Sequence, residues 1–298
     1  MKTSFIVHAS TDSLDNDFPV LYFKKEYLKI QEHSDLLCYE NEQFFLPIAL
    51  DQGLAISIPR SPFGSFFLKD NCELDVFLSF VNQVKNDLKS RGVSHLNLIH
   101  PPKNYTGYIR EDWLASAGFA KKFSDINQHI PLHSNWEDEI HEMQRRKLTA
   151  LENEGFEFKK MDADELEKAH QFVKVCRIAQ ELSINISYEI LKQLSDQTEA
   201  YDLFGVFRDN KISALCIAAR VTKKTAYYYL PATSPMFRSQ SPMVLLIAGM
   251  VAYYRSAGFE SFDLGISSIE GRPQETLRIF KERMGASELT KTSWELPI

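Results

Sequence analysis

The chain has 298 residues, 44% hydrophobic and 25% charged, with 12 glycines and 12 prolines, a composition that argues for folded rather than disordered protein. Its formal charge of −6 and pI near 5.8 exclude a protein that coats nucleic acid or anionic lipid, because such binding needs a basic surface. The length favours two domains, each able to bury its own core.

In chain order, Phe18 to Ile30 reads as a short helix over a core. Cys38 and Cys72, like Cys176 and Cys216 further on, stand apart without Cys-x-x-Cys spacing, as reduced thiols of a cytoplasmic protein would. Residues 1–8 carry no long apolar run or cleavage site, so no export is expected and the location is read as cytoplasmic. Residues 36–40, 43–50 and 54–58, separated by turns at Asn41-Glu42 and Asp51-Gln52-Gly53, read as an antiparallel meander. The prolines and glycine of Pro59-Arg60-Ser61-Pro62-Phe63-Gly64 then force an irregular loop. From Glu73 to Arg91, Phe77, Val81, Val84 and Leu88 fall on one helical face. A strand over 94–100, a short helix over 111–117 and an extended stretch over 119–132 follow.

One helix is expected to carry Trp136, Ile140, Met143, Leu148 and Leu151, with Ser134-Asn135 as its cap. Beyond it the pattern gives a strand over 156–161, a helix over 164–182 and a short helix near 188–194. A second meander runs through 202–208, 212–220 and 226–230, with turns at Asp209-Asn210 and Lys223-Lys224. Pro231 to Pro235 reads as irregular loop, and Ser241-Pro242 as the cap and first-turn proline of a helix reaching residues 256–257. That helix holds the longest apolar run, Pro242 to Tyr254, which is well short of the ~20 residues of a membrane span. A strand over 261–264, loop chemistry from Gly265 to Gly271 and a helix bearing Leu277, Phe280 and Met284 follow, and Gly285 stops the helix.

The two halves echo each other. Gly92 and Gly118 in the first half are spaced almost as Gly258 and Gly285 are in the second, and each pair follows a meander, a proline-bearing loop and a helix. This order predicts duplicated α/β modules meeting near residue 134, with mixed sheets of the α+β type.

Phe262-Asp263-Leu264-Gly265, Phe280-Lys281 and Met284-Gly285-Ala286 resemble the FemAB-like branch of the GNAT superfamily of N-acyltransferases, which includes the peptidoglycan aminoacyl-transferases. The resemblance covers roughly the last third of the chain and implies two tandem GNAT-like modules, residues 1–134 and 135–298, with acyl transfer in the second. It implies that the strands over 226–230 and 261–264 splay apart and hold the acyl donor with exposed backbone groups. Tyr229 is then a candidate acid for the leaving group, its alternative being ordinary packing of aromatics in a sheet, and Lys281 matches a charge-stabilising lysine, its alternative being a lysine that snorkels at a helix edge. Asp263 would hold an amine or orient a hydroxyl beside Ser267 and Ser268, or simply satisfy loop amides. Arg60, Ser61 and Phe63 match a loop where the acceptor approaches; their alternative is a rigid turn packed into the core.

Acetyl-CoA users in this superfamily carry Arg/Gln-x-x-Gly-x-Gly/Ala before the last-mentioned apolar helix, so that backbone amides close on the pyrophosphate. Here the segment is Arg238-Ser239-Gln240-Ser241-Pro242-Met243. Arg238, Ser239 and Ser241 remain the donor-binding candidates, but both glycines are replaced and Pro242 deletes an amide. The expected function is transfer of an acyl or aminoacyl group to an amine of a small or cell-envelope-precursor acceptor, with acyl-CoA or aminoacyl-tRNA as donor and no tightly bound cofactor. A tRNA partner sits poorly with the acidic charge and the absence of a long helical-hairpin pattern, and no DNA partner is expected. The alternatives are an acyl-CoA-dependent enzyme with a modified pyrophosphate loop and a catalytically silent ligand-binding protein of the same fold. The basic runs Arg145-Arg146-Lys147 and Lys223-Lys224 read as a solvated helix face and a hairpin tip. No metal site is expected, since Pro131 between His129 and His133 spoils a helical ligand pair.

Overall fold

A computed structural model describes residues 5–14, 18–30, 35–133 and 135–298. The chain divides into two compact units, the first made of residues up to Ile126 with 270–272 and 290–298, the second of 127–269 and 273–289.

The first unit contains β1 (Ile6–His8), α1 (Lys25–Ile30), β2 (Asp35–Glu40), β3 (Phe44–Asp51), β4 (Leu54–Ser57), β5 (Phe67–Leu68), α2 (Leu74–Ser90), β6 (His95–His100), α3 (Glu111–Ser116) and the start of β7 (Ala120–Pro131). Strands β1 to β4 form an antiparallel meander, and β4 then pairs in parallel with β6. Helix α2 buries Phe77, Phe80, Val81, Val84 and Leu88 against the sheet, its polar residues facing outward. Its apolar spacing of three and four residues is what makes that face continuous.

The second unit holds the rest of β7, then α4 (Trp136–Glu139), α5 (Glu142–Asn153), β8 (Glu157–Met161), α6 (Leu166–Ile178), α7 (Tyr188–Thr198), β9 (Tyr201–Arg208), β10 (Lys211–Arg220) and β11 (Thr225–Thr233). After these come α8 (Met243–Ser256), β12 (Ser261–Ile266), β13 (Ser268–Ile269), β14 (Arg272–Pro273, of which Arg272 counts with the first unit), α9 (Glu275–Arg283) and β15 (Ser287–Pro297), whose last residues return to the first unit and pair with β6. The sheet order is β7-β12-β11-β10-β9-β8. Asp209 and Asn210, both left-handed (φ 50° and 60°), make the two-residue turn that sets the β9–β10 register, a conformation short polar side chains tolerate. Helix α8 is apolar nearly all round and is accordingly buried through Val244, Leu246, Ile247, Met250, Val251 and Tyr254. No helix among the described residues is long and apolar enough to cross a membrane.

Four details depart from the sequence pattern. The helix expected across Trp136 to Leu151 is two, because Ile140 is extended (ψ 127°) and the His141 side chain accepts from the Met143 N–H to start α5 afresh. The Ser134 part of its expected cap lies outside the described residues. Strand β11 does not end at residue 230 but continues through Pro231 and Ala232 to Thr233. Ser241 does not cap α8: it is left-handed (φ 59°) at the end of a 3-10 turn over Pro235–Gln240, and Pro242 takes the cap position. Helix α6 stops at Ile178, short of residue 182.

Candidate functional site

Strands β11 and β12 are parallel neighbours for three residue pairs only: Thr225 with Ser261, Ala226 with Phe262 and Tyr227 with Asp263. Beyond that point β11 stays with β10 while β12 stays with β7, so the two strands part. The cause is visible in the ladder. Ile217 faces Leu230 and Ala219 faces Tyr227, so β11 spends one residue more than β10 across this interval, a bulge that bends and twists the strand.

A cavity of about 320 Å³ opens where the strands diverge. Tyr228, Pro231 and Thr233 of β11 and Leu264 of β12 form its sheet side, and Met243, Ile247, Leu277 and Phe280 of α8 and α9 form its helical walls. Arg238 and Ser241 stand on its lining beside the start of α8. The walls are apolar with a few polar groups, the usual make-up of a small-molecule site.

The end of β12 is held open by a buried polar network. Asp263 (1% exposed) accepts from the Asn127 side-chain amide at 2.8 Å and from the Gly265 N–H at 2.7 Å. Lys281 (4% exposed) reaches from α9 into the cavity wall and donates to the carbonyls of Gly265 at 2.9 Å and Ile266 at 2.8 Å. Those carbonyls would otherwise lack a partner across the fork, and an unmet buried carbonyl is costly. Gly265 itself is left-handed (φ 73°), and an added Cβ would lie 3.1 Å from the Tyr227 hydroxyl.

The three tyrosines of β11 alternate across the sheet. Tyr228 packs edge-on to Phe262, places its hydroxyl 3.7 Å from the Met243 sulfur and lines the cavity. Tyr229 faces the other way, with Tyr227 and Tyr201 at ring distances of 6.4 and 6.0 Å. Burial holds the Tyr228 phenol well above its ordinary pKa, and burial followed by the nearby Asp263 charge does the same to Tyr227. Both keep their protons and act as hydrogen-bond donors or acceptors. Sequence reading took Tyr229 of the three as the candidate; alternation along a strand separates Tyr228 from its two neighbours but does not say which face the cavity occupies.

Other sequence candidates are dispersed. Ser267 is fully buried and donates to the Gln128 side-chain carbonyl at 2.6 Å, and Ser268 is 2% exposed. Ser239 is exposed, and its hydroxyl donates to its neighbour Gln240. In the first unit the Ser61 hydroxyl donates to the Ile58 carbonyl at 2.6 Å, Arg60 is left-handed (φ 63°), and Phe63 is buried among Tyr22, Tyr105 and Tyr108. Burial raises the Cys38 thiol to about 12 and the Cys216 thiol well above its usual value, so neither is a thiolate at ordinary pH.

Residues 141–271 match the acetyltransferase (GNAT) domain family model. No curated protein sequence matches the chain. Among solved structures, the chain is similar to FemX, at 12% identity and a TM-score of 0.69 over 97% of this chain and 94% of that one. It is also similar to the C-terminal domain of a lysylphosphatidylglycerol synthetase from Agrobacterium fabrum, at 16% identity and a TM-score of 0.63 over 89% and 84%. A tandem GNAT protein of the clavulanic acid pathway gives 9% identity and a TM-score of 0.54 over 99% and 98%. Residues 141–271 thus match a GNAT acetyltransferase domain model, and the chain shares over nearly its whole length the fold of these solved structures, a tandem GNAT protein among them.

Proposed function

We propose that the second unit transfers an acyl group from a thioester donor to the nitrogen of an amine. The observation that carries this reading is the fork: pairing of β11 with β12 stops at Tyr227 and Asp263, and a mainly apolar cavity opens there. A thioester arm laid along the cavity would present its acyl carbon at the unpaired edge of β11, whose backbone N–H groups can meet the oxyanion of the tetrahedral intermediate. The amine attacks the carbonyl carbon, the C–N bond forms, the C–S bond breaks, and the thiolate departs with a proton from the attacking nitrogen or from a nearby donor. Tyr228, which lines the cavity, is our candidate donor; Tyr229, the residue the resemblance offered, lies on the opposite sheet face. Asp263 and Lys281 serve as positioning residues that fix the end of β12, and Arg238, Ser239 and Ser241 hold the polar end of the donor.

The motif around Asp263 and Lys281 supports the FemAB-like branch, and a small or envelope-precursor amine is the acceptor class that follows. An acyl-CoA donor is preferred to aminoacyl-tRNA, because a chain of net charge −6 lacks the basic surface that tRNA binding needs. The test is incubation with acetyl- and longer acyl-CoA and a panel of amino acids, amino sugars, polyamines and peptides. Thiol release that depends on one amine, with a product heavier by the acyl group, is the expected result. Release no faster than without protein across the whole panel would end the reading.

A further inference from the structure

The sheet face turned away from the cavity carries two opposite charges that do not pair with each other. Asp263 of β12 lies in register with Tyr227 of β11 and shares its face. Tyr229 and Tyr201 continue a row of half-buried phenols there, with ring centroids 6.0 Å apart. The second charge is Arg177, on the last turn of α6, the helix that packs against β10 and β11. Burial and then the Asp263 charge raise the Tyr227 phenol, and the nearby Arg177 charge works against both. Tyr227 thus stands between an anion held by β12 and a cation held by α6.

The Arg177 guanidinium has donors to spare. It is half-buried, its Nη1 donates to the Ser183 carbonyl at 3.3 Å, and among the described residues it meets no carboxylate and no second acceptor. Arg220, by contrast, pairs with Asp202 at 3.3 Å. Arginine offers five N–H groups in a planar fork that matches the two oxygens of a carboxylate. The end of α6 fixes where that fork is presented. The Leu182 N–H donates back to the Arg177 carbonyl at 2.9 Å, the Glu181 N–H donates to the Ile178 carbonyl at 3.0 Å, and Glu181 is left-handed (φ 57°). In the same turn the Gln180 side chain donates to the Cys176 carbonyl at 3.0 Å and lines the cavity. The cavity therefore reaches from Tyr228 and α8 to the end of α6. An amine entering past α6 meets the fork from the side of Tyr227 and Asp263, across from the apolar walls assigned to the thioester.

We propose that Arg177 binds a carboxylate of the acceptor, so that the amine acylated here belongs to an amino acid, its nitrogen toward Tyr227 and the fork and its carboxylate toward the end of α6. The inference rests on the thioester reading above and adds to it an acceptor class and the residue that selects it. A charge-assisted, two-pronged pair is the stronger kind of hydrogen bonding, whereas an amino sugar or a polyamine leaves the guanidinium without a counter-charge.

The experiment measures thiol release from acetyl- and longer acyl-CoA by the wild type and its Arg177→Gln and Arg177→Lys variants. The acceptors are amino acids, each matched with its own carboxamide, beside amino sugars and polyamines. Expected is an amino acid used by the wild type with kcat/KM about tenfold or more above that of its carboxamide. Arg177→Gln should raise KM for the acid about tenfold with little change in kcat, bringing it down to its carboxamide, and Arg177→Lys should keep part of the preference as a point charge. The carboxamide has the less basic amine, with more of it neutral and able to attack, so a preference for the acid cannot come from ionisation of the nucleophile. Equal use of acid and carboxamide by the wild type, a preference that survives Arg177→Gln, an equal loss with both acceptors, or transfer to amino sugars or polyamines alone would each overturn the inference and leave acyl transfer standing. No transfer to any amine would remove the thioester reading and this inference with it.

Discussion

Lys281 is the side chain on which the geometry of the fork turns. Its ammonium satisfies two consecutive carbonyls of β12, Gly265 and Ile266, from a buried position. Replacing it by methionine keeps the length and removes the donor, so Lys281→Met should lower the unfolding free energy by about 2 kcal/mol in urea titrations, the cost of unmet buried carbonyls. It should also lower acyl transfer, since the end of β12 is no longer fixed. A separate residue-scale effect belongs to His100, which burial lowers from 6.5 to about 4 and whose Nδ1 lies 3.1 Å from the Ser65 hydroxyl. A histidine kept neutral in the fold stabilises fully above its unfolded pKa and loses that contribution as pH falls through the folded value. Between pH 6.5 and 4 the wild type should therefore lose about 3 kcal/mol more than His100→Gln, read from paired urea titrations; parallel curves would refute the assignment. Sequence made Lys281 legible through its motif. It did not reveal the partners, because two carbonyls some fifteen residues upstream leave no pattern in side-chain type.

At the scale of the element, the fork is built by a bulge in one strand and a left-handed glycine in the other. The meander, the helix after it and the strand at 261 were all readable, since turns at Asp209-Asn210 and runs of alternating apolar residues mark them. The bulge was not, because it depends on how β10 and β11 match in length. Nor was the continuation of β11 through Pro231. A proline ordinarily ends a strand, but β12 has already departed there, so one edge of β11 asks nothing of the missing N–H. Gly265 permits an element-scale test. Gly265→Ala places a Cβ at φ 73° and 3.1 Å from the Tyr227 hydroxyl, which should cost about 1–2 kcal/mol from the backbone alone. The denaturation midpoint should fall and donor affinity should weaken with it; an alanine variant as stable as wild type would show that the left-handed turn is not needed.

For the molecule as a whole, each of the two units contains a three-strand meander followed by a helix and a strand parallel to the meander's last. In the first unit β4 and β6 are also parallel for three residue pairs, ending at Ile56 and Asn97, so it too begins a fork. There the chain fills the gap itself: the Gly64 N–H donates to the Ile99 carbonyl at 2.9 Å, and the Ser57 hydroxyl donates to the Gly64 carbonyl at 2.5 Å and accepts from the Ile99 N–H at 2.9 Å. The loop with two prolines, whose sequence suggested an acceptor site, thus plugs one fork while the other stays open. Ser57→Ala should destabilise the protein by about 1–3 kcal/mol, since it strips partners from buried backbone groups, and should leave thioester affinity unchanged. Equal stability would mean the plug contributes little.

The central claim is that the open fork of the second unit receives a thioester, and cavity filling tests it most directly. Leu277 lines the cavity yet is 37% exposed, so a larger side chain can enter without disturbing the core. Calorimetric titration with acetyl-CoA should show saturable one-to-one binding to the wild type and its loss in Leu277→Trp, with thermal unfolding of the two proteins alike. Undiminished binding by the tryptophan variant, or none by the wild type, would contradict the account.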